Sequence, residues 1–188
     1  MARFVTSVSK FNDSVNLSDL PDIALVGPSN SGKSSLINTL AKARIALISN
    51  KPGKTRTLNY YEFDRHYLVD TPGYGFSQGS KTDRTTLLSI LDSYFCEGER
   101  PIVGVFQIIS SHGLTSNDME IFSFLTSRFH NYTLLINKID KLSNNQQKNL
   151  FNEVLKTTKL SEDSVFLISA KEGVNINLVN KRIRDYLN

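Results

Sequence analysis

Gly27-Pro28-Ser29-Asn30-Ser31-Gly32-Lys33-Ser34 is a complete G-x-x-x-x-G-K-[ST] phosphate-binding loop, and it decides how the rest of the chain is read. Before it runs Ile23-Ala24-Leu25-Val26, a continuous apolar segment of the kind found in buried parallel strands. After it comes Ser35-Leu36-Ile37-Asn38-Thr39-Leu40-Ala41, with Leu36, Ile37 and Leu40 on one helical face. Two glycines let the backbone wrap an anion with its N–H groups turned inward, and the helix that follows adds the positive end of its dipole. Lys33 is expected to reach the β- and γ-phosphates, and the Ser34 hydroxyl to coordinate Mg²⁺. The loop alone does not distinguish ATP from GTP.

Composition fits one ordinary globular domain. The 188 residues are 39% apolar and 21% charged. No run approaches the ~18 apolar residues needed to span a bilayer, and Met1-Ala2-Arg3-Phe4-Val5 lacks the apolar core of a signal peptide. The expectation is a cytoplasmic chain without membrane contact. A lone Cys96 excludes an intrachain disulfide and a cysteine-built metal site; it reads as a half-buried small apolar side chain on a helix. The net charge of +4 is modest, but no acidic residue occurs between Asp22 and Glu62, an interval that holds Lys33, Lys42, Arg44, Lys51, Lys54 and Arg56. That run suits either a phosphate-backbone partner or compensation of the nucleotide's own charge.

Strand and helix patterns alternate. Tyr60-Tyr61-Glu62-Phe63 and His66-Tyr67-Leu68-Val69 flank an Asp64-Arg65 turn, which predicts an antiparallel pair. A helix is expected over residues 85–95, a strand over 102–109, and a helix opened by the capping box Thr115-Ser116-Asn117-Asp118. A strand over 132–136 leads to a helix opened by Ser143. The chain closes with a strand over 165–168 and a last helix carrying Leu178, Val179, Ile183, Tyr186 and Leu187. The predicted fold is therefore a three-layer α/β domain over residues 21–188. Its sheet is mostly parallel, about six-stranded, with one antiparallel edge strand and helices on both faces. Residues 1–20 read as a partly loose lead-in.

In such sheets ligands bind beyond the carboxyl ends of the strands, and here each strand end carries nucleotide chemistry. Asp70-Thr71-Pro72-Gly73 follows one strand: the carboxylate can hold Mg²⁺ through water, and the glycine N–H can meet a γ-phosphate. Asn137-Lys138-Ile139-Asp140 follows another. Its aspartate can accept from guanine N1–H and the exocyclic amine, a donor pair that adenine lacks. Lys138 can lie along the base, and Asn137 can tie this loop to the phosphate loop. Ser169-Ala170-Lys171 follows the strand ending at Ile168, where a backbone N–H can meet guanine O6, so Ile168, Ser169 and Ala170 join the candidate set.

In this order the motifs resemble the translation-factor-related P-loop GTPases, and the details resemble the EngB (YsxC) ribosome-assembly GTPases from about Pro21 to Leu187. The most specific pieces are Lys51-Pro52-Gly53-Lys54-Thr55-Arg56-Thr57-Leu58-Asn59-Tyr60-Tyr61 and Asp70-Thr71-Pro72-Gly73-Tyr74-Gly75-Phe76. The resemblance implies that Thr55 closes over Mg²⁺ in the triphosphate state, its alternative being a plain turn residue. It also brings Gly53, Lys54, Arg56 and Thr57 to phosphate or ribose. Lys33, Thr55 and Gly73 form the implied catalytic set. There are departures: Pro28 and Ser31 replace a common arginine and valine, and Ile109-Ser110-Ser111-His112-Gly113-Leu114-Thr115 replaces a segment that usually bears an aspartate and an arginine before the histidine, with only His112, Leu114 and Thr115 keeping to it. His112 reads as a surface or capping residue.

Tyr74 occupies the position where many related GTPases carry a water-orienting glutamine, so slow intrinsic hydrolysis is expected. Asn30 stands where some relatives bind K⁺, which makes K⁺ a candidate cofactor beside Mg²⁺; its plainer reading is a loop-stabilising side chain. The resemblance implies a monomeric switch binding GTP and GDP, acting on a precursor of the large ribosomal subunit (rRNA and ribosomal proteins) and needed for cell division and septation. A P-loop ATPase or kinase, and an RNA-binding module with incidental hydrolysis, are the competing readings.

Overall fold

The computed structural model describes residues 2–8, 17–48, 57–74, 89–98 and 100–188. Seven strands form one sheet: β1 (Arg3–Val8), β2 (Asp22–Val26), β3 (Leu58–Glu62), β4 (Tyr67–Asp70), β5 (Ile102–Ser110), β6 (Tyr132–Asn137) and β7 (Val165–Leu167), in the spatial order β1-β3-β4-β2-β5-β6-β7. The pairs β4·β2, β2·β5, β5·β6 and β6·β7 are parallel. Among the seven strands, antiparallel pairing occurs at one edge, where β3 lies between β4 and β1. The helices packed on it include, among the described residues, α1 (Lys33–Ala41), α2 (Ser116–Thr126), α3 (Asn144–Thr158) and α4 (Ile176–Tyr186).

Alternation along the parallel strands sorts side chains between two cores. Ile23, Leu25, Leu68, Phe106, Ile108 and Leu135 face α1 and α4, packing on Leu36, Ile37, Val179 and Ile183. Ala24, Val26, Val69, Val105, Ile109, Leu134 and Ile136 face the other way, onto Leu125 of α2 and Val154 of α3. Each parallel strand is thus apolar on both sides because both faces are covered. The helices begin where the backbone groups are satisfied. Thr115 with Asp118, and Ser143 with Gln146, form reciprocal capping boxes at α2 and α3. Gly32 opens α1 in the left-handed region, at φ 103°.

Three expectations change. The sheet gains its seventh strand from residues read as a lead-in, because Arg3 pairs with Glu62 at 2.8 Å and Phe4 packs edge-on against Tyr61 at 5.6 Å. Residues 85–88 of the helix expected before β5 lie outside the described residues. Its later part runs into a π-helical turn, Ser93–Glu97, that buries Tyr94 and leaves Cys96 exposed rather than half-buried. Leu178 is 38% exposed, so the apolar stripe of α4 is carried by Val179, Ile183 and Tyr186.

His66 makes a stability prediction. Its ring is 6% exposed and stacked on Phe63 at 5.1 Å, and Nε2 has no hydrogen-bond partner among the described residues. Burial lowers its pKa from 6.5 to about 4. Between those values the unfolded chain holds a proton that the folded chain does not, so stability falls on acidification through that window. Urea unfolding should show the native protein losing about 2 kcal/mol more between pH 7 and pH 5 than a His66→Gln variant does. Equal losses would mean the imidazole charges without cost.

Candidate nucleotide site

The phosphate loop lies at the carboxyl end of β2, where the chain passes from the middle of the sheet into α1. Gly32 is where glycine is required: besides its φ of 103°, a Cβ there would stand 2.2 Å from Asn137 Nδ2. Lys33 is 8% exposed, its ammonium donating to the carbonyls of Gly27 at 2.8 Å and Pro28 at 3.2 Å. Burial lowers its pKa while Asp70 pulls the other way. Pro28 lacks an N–H, yet its carbonyl also accepts from the Ser31 N–H at 3.2 Å. Half-exposed Ser29 and exposed Asn30 form the rim; Asn30 is left-handed at φ 66°, and its carbonyl accepts from Lys138 Nζ.

Asp70 ends β4 beside this loop. It is 2% exposed; Oδ2 accepts from the Ser34 hydroxyl at 3.4 Å, and Oδ1 has no partner among the described residues. Burial pushes its carboxyl up to about 6 against the pull of Lys33 and of Ser34. A buried carboxylate oxygen without a partner, next to a hydroxyl, is an unmet demand for positive charge, and two hard oxygens suit Mg²⁺. The residues present therefore fit that ion. Thr71 pins the following turn to β2, its N–H and its hydroxyl each 3.1 Å from the Leu25 carbonyl, and Pro72 is buried behind it. Gly73 touches the phosphate loop so closely that a Cβ would sit 2.8 Å from the Ser29 nitrogen.

The two loops beyond β6 and β7 are tied to the phosphate loop by Asn137. Its Nδ2 donates to the Ser31 carbonyl at 2.8 Å, and its Oδ1 accepts from the Ala170 N–H at 3.0 Å. Thr39 of α1 donates to the Ala170 carbonyl at 2.6 Å. Lys138 is left-handed at φ 67°, which turns the chain into a short 3₁₀ segment, Ile139–Lys141, and brings Asp140 to the surface. Asp140 Oδ1 accepts from the Ser169 hydroxyl at 2.6 Å, and the buried Ile139 donates its N–H to the Ile168 carbonyl at 3.3 Å. The carboxylate is thus held at one oxygen and solvent-exposed, suited to two adjacent donors on a planar ring.

The structure brings residues 27–34, 70–73, 137–140 and 168–170 to one end of the sheet. Thr57 sits apart from these contacts at the start of β3, donating to Asn59 Oδ1 at 3.1 Å. Gly53, Lys54, Thr55 and Arg56 lie outside the described residues. Sequence reading missed two things: the direction of the Tyr74 side chain, which points into the core (4% exposed) rather than toward a water, and its partner Asp118. The capping box marked Asp118 as a helix start, but nothing in the spacing linked it to Tyr74. His112 is exposed beside Ser110, as its surface reading has it.

Residues 22–138 match the family described as "50S ribosome-binding GTPase". The protein named "Probable GTP-binding protein EngB" from Mycoplasmoides gallisepticum is 36% identical over 187 residues, covering 100% of both chains. Its namesake from Malacoplasma penetrans is 37% identical over 183 residues, 97% of each chain. Among solved structures, one titled "a probable GTP-binding protein engB" shares the fold with a TM-score of 0.73 at 24% identity, over 88% of this chain and 98% of that one. Era in complex with MgGDPNP and nucleotides 1506–1542 of 16S ribosomal RNA gives a TM-score of 0.70 at 27% identity, over 89% of this chain and 56% of its own.

Proposed function

Because this chain belongs to the EngB family of GTP-binding proteins and is a GTPase, we propose that it is a GTP-operated switch in the assembly of the large ribosomal subunit, working in the bacterial cytoplasm as a monomer. Residues 21–188 are its G domain, with β1 supplied from the segment before it. The observation that carries this reading is the convergence of Lys33, Ser34, Asp70, Gly73 and Asp140 at one end of the sheet, in a chain whose family description names the 50S ribosome. The residue-free-of-acid interval from Lys33 to Arg56 supports an rRNA-facing surface. Among the described residues no helix is long and apolar enough to cross a membrane.

In this mechanism the phosphate-loop N–H groups and Lys33 bind the β- and γ-phosphates, and Asp140 selects guanine with Ser169 orienting it. Ser34, Thr55 and, through water, Asp70 would hold Mg²⁺, which supplies charge neutralisation across the β- and γ-phosphates. Gly73 offers its N–H to the γ-phosphate, and that contact is what hydrolysis removes. The Tyr74 hydroxyl is committed to Asp118, which leaves no side chain at that position to orient water, and intrinsic turnover is slow. Asn30, exposed on the loop rim, is the candidate K⁺ ligand. A requirement for the protein in cell division and septation belongs to the same proposal.

The test is co-sedimentation of the protein with ribosomal particles from a bacterial lysate, in GDP or in a non-hydrolysable GTP analogue. Recovery with large-subunit precursors should be at least severalfold greater with the analogue. Equal recovery in both nucleotides would remove the switch from the proposal.

A further inference from the structure

Tyr74 stands one residue past Gly73, yet its ring lies in the core. Its hydroxyl donates to Asp118 Oδ1 at 2.8 Å and accepts from Gln107 Nε2 at 3.0 Å. The second Asp118 oxygen accepts from the N–H and hydroxyl of Thr115 at 2.8 and 2.7 Å. Gln107 in turn donates to the Asp118 carbonyl at 2.9 Å and accepts from the Tyr132 hydroxyl at 2.7 Å. Burial, with Asp118 adding to it, raises the phenol pKa far above its ordinary range, so the group remains a donor.

The main chain of Tyr74 faces the nucleotide side. Its carbonyl accepts from the Ser29 N–H at 3.1 Å, so that it bridges to the phosphate loop. The Asp70-Thr71-Pro72-Gly73 turn is therefore pinned at two points. Thr71 fixes it to β2, and Tyr74 fixes it to the start of α2. Gly73 lies between them with no side chain to hold its own position. A peptide plane joins it directly to Tyr74, so a shift of the tyrosine is transmitted to the glycine.

We propose that Tyr74, anchored by Asp118, is a positioning residue that keeps Gly73 in register with the phosphate loop and thereby sets the preference for triphosphate over diphosphate and the rate of hydrolysis. The proposal rests on the reading of Gly73 as the residue whose N–H meets the γ-phosphate. A Tyr74→Phe substitution keeps the ring and removes only the hydroxyl, which is both the donor to Asp118 and the acceptor from Gln107.

The experiment measures affinity for GDP and for a non-hydrolysable GTP analogue, with single-turnover hydrolysis and Tm, in the full chain and five variants. Tyr74→Phe should leave GDP affinity within about twofold and weaken the analogue by about tenfold, with a matching fall in turnover; misplacement of reacting groups by an ångström has effects of this order or larger. Asp118→Asn should behave alike, and the double variant should add little. Tyr132→Phe removes a hydroxyl of the same network that does not touch the turn; it should lower Tm and leave the nucleotide ratio unchanged. Gly73→Ala tests the underlying reading. If it weakens the analogue while Tyr74→Phe shifts only Tm, the positioning role is overturned and the γ-phosphate reading stands. If Gly73→Ala leaves the analogue-to-GDP ratio intact, both fall. Should Asp118→Asn fail to fold, the comparison of Tyr74→Phe with Tyr132→Phe decides the matter.

Discussion

An Asp140→Asn variant is expected to bind GDP on the order of 100-fold or more weakly than the native protein and to gain affinity for xanthosine diphosphate. One carboxylate oxygen accepts from the Ser169 hydroxyl at 2.6 Å, which fixes the plane of the group at the mouth of the loop. The proposed contact then accepts from guanine N1–H and the exocyclic amine. An amide keeps the shape but turns one of those acceptors into a donor facing a donor, which is repulsive. Charge-assisted hydrogen bonds are worth about 1.5–3 kcal/mol each, so replacing one by a donor-donor clash and taking the charge from the other sets the scale. Xanthine presents a carbonyl where guanine has its amine, and that carbonyl can accept from the new amide. Fluorescence titration with GDP, ADP and xanthosine diphosphate measures all three arms. Native GDP binding should exceed ADP binding by a factor of the same order or greater. An Asp140→Asn variant that still prefers GDP would move base selection to another residue.

The second large effect concerns stability and lies at the opposite end of β2. Asp22 begins that strand fully buried, and Arg100 reaches it through Nε at 3.1 Å and through a terminal nitrogen at 2.9 Å. The same guanidinium donates to the carbonyls of Leu20 at 2.6 Å and Ser18 at 3.2 Å, and lies over the Tyr67 ring at 5.1 Å. Tyr94 donates to the other Asp22 oxygen at 3.2 Å. Burial pushes the Asp22 carboxyl upward, and Arg100 and Tyr94 offset part of that cost. Removing the cation leaves a buried carboxylate with only the phenol, a change that typically costs about 3–5 kcal/mol. Urea unfolding of Arg100→Leu should show a loss of about that size. Adding Asp22→Asn should restore part of it, because the orphaned charge is then gone. A loss below about 1 kcal/mol for Arg100→Leu would show that water reaches Asp22 and that the pair is ornamental to the fold.

Both predictions start from residues visible in the sequence, but they differ in how visible their roles were. Asp140 could be read from its tetrapeptide and the apolar strand before it, since both ends of that argument are local. Arg100 could not. Its partner is 78 positions away, and neither residue belongs to a pattern. The seventh strand was hidden for a similar reason: Arg3–Val8 sits at the sheet edge, where Phe4 stays 48% exposed, so hydropathy alone gives a weak signal. Tyr74 is recognisable from the sequence as a poor residue for holding water. Which way it pointed depended on Asp118 and Gln107 being brought beneath it by α2 and β5.

Read by itself, the sequence determined the alternation of strands and helices, the phosphate loop, the guanine-directed loop and the order in which they follow one another, because each is encoded within a few neighbouring residues. Only the tertiary structure decided what joins those pieces. Asn137 links the phosphate and base loops, Asp70 keeps an unpaired oxygen beside Ser34, and the Tyr74 hydroxyl leaves the site for the core. Those contacts span tens of residues. They exist only because the parallel sheet brings the ends of β2, β4, β6 and β7 to one edge, where burial makes each unpaired polar atom too costly to leave to chance.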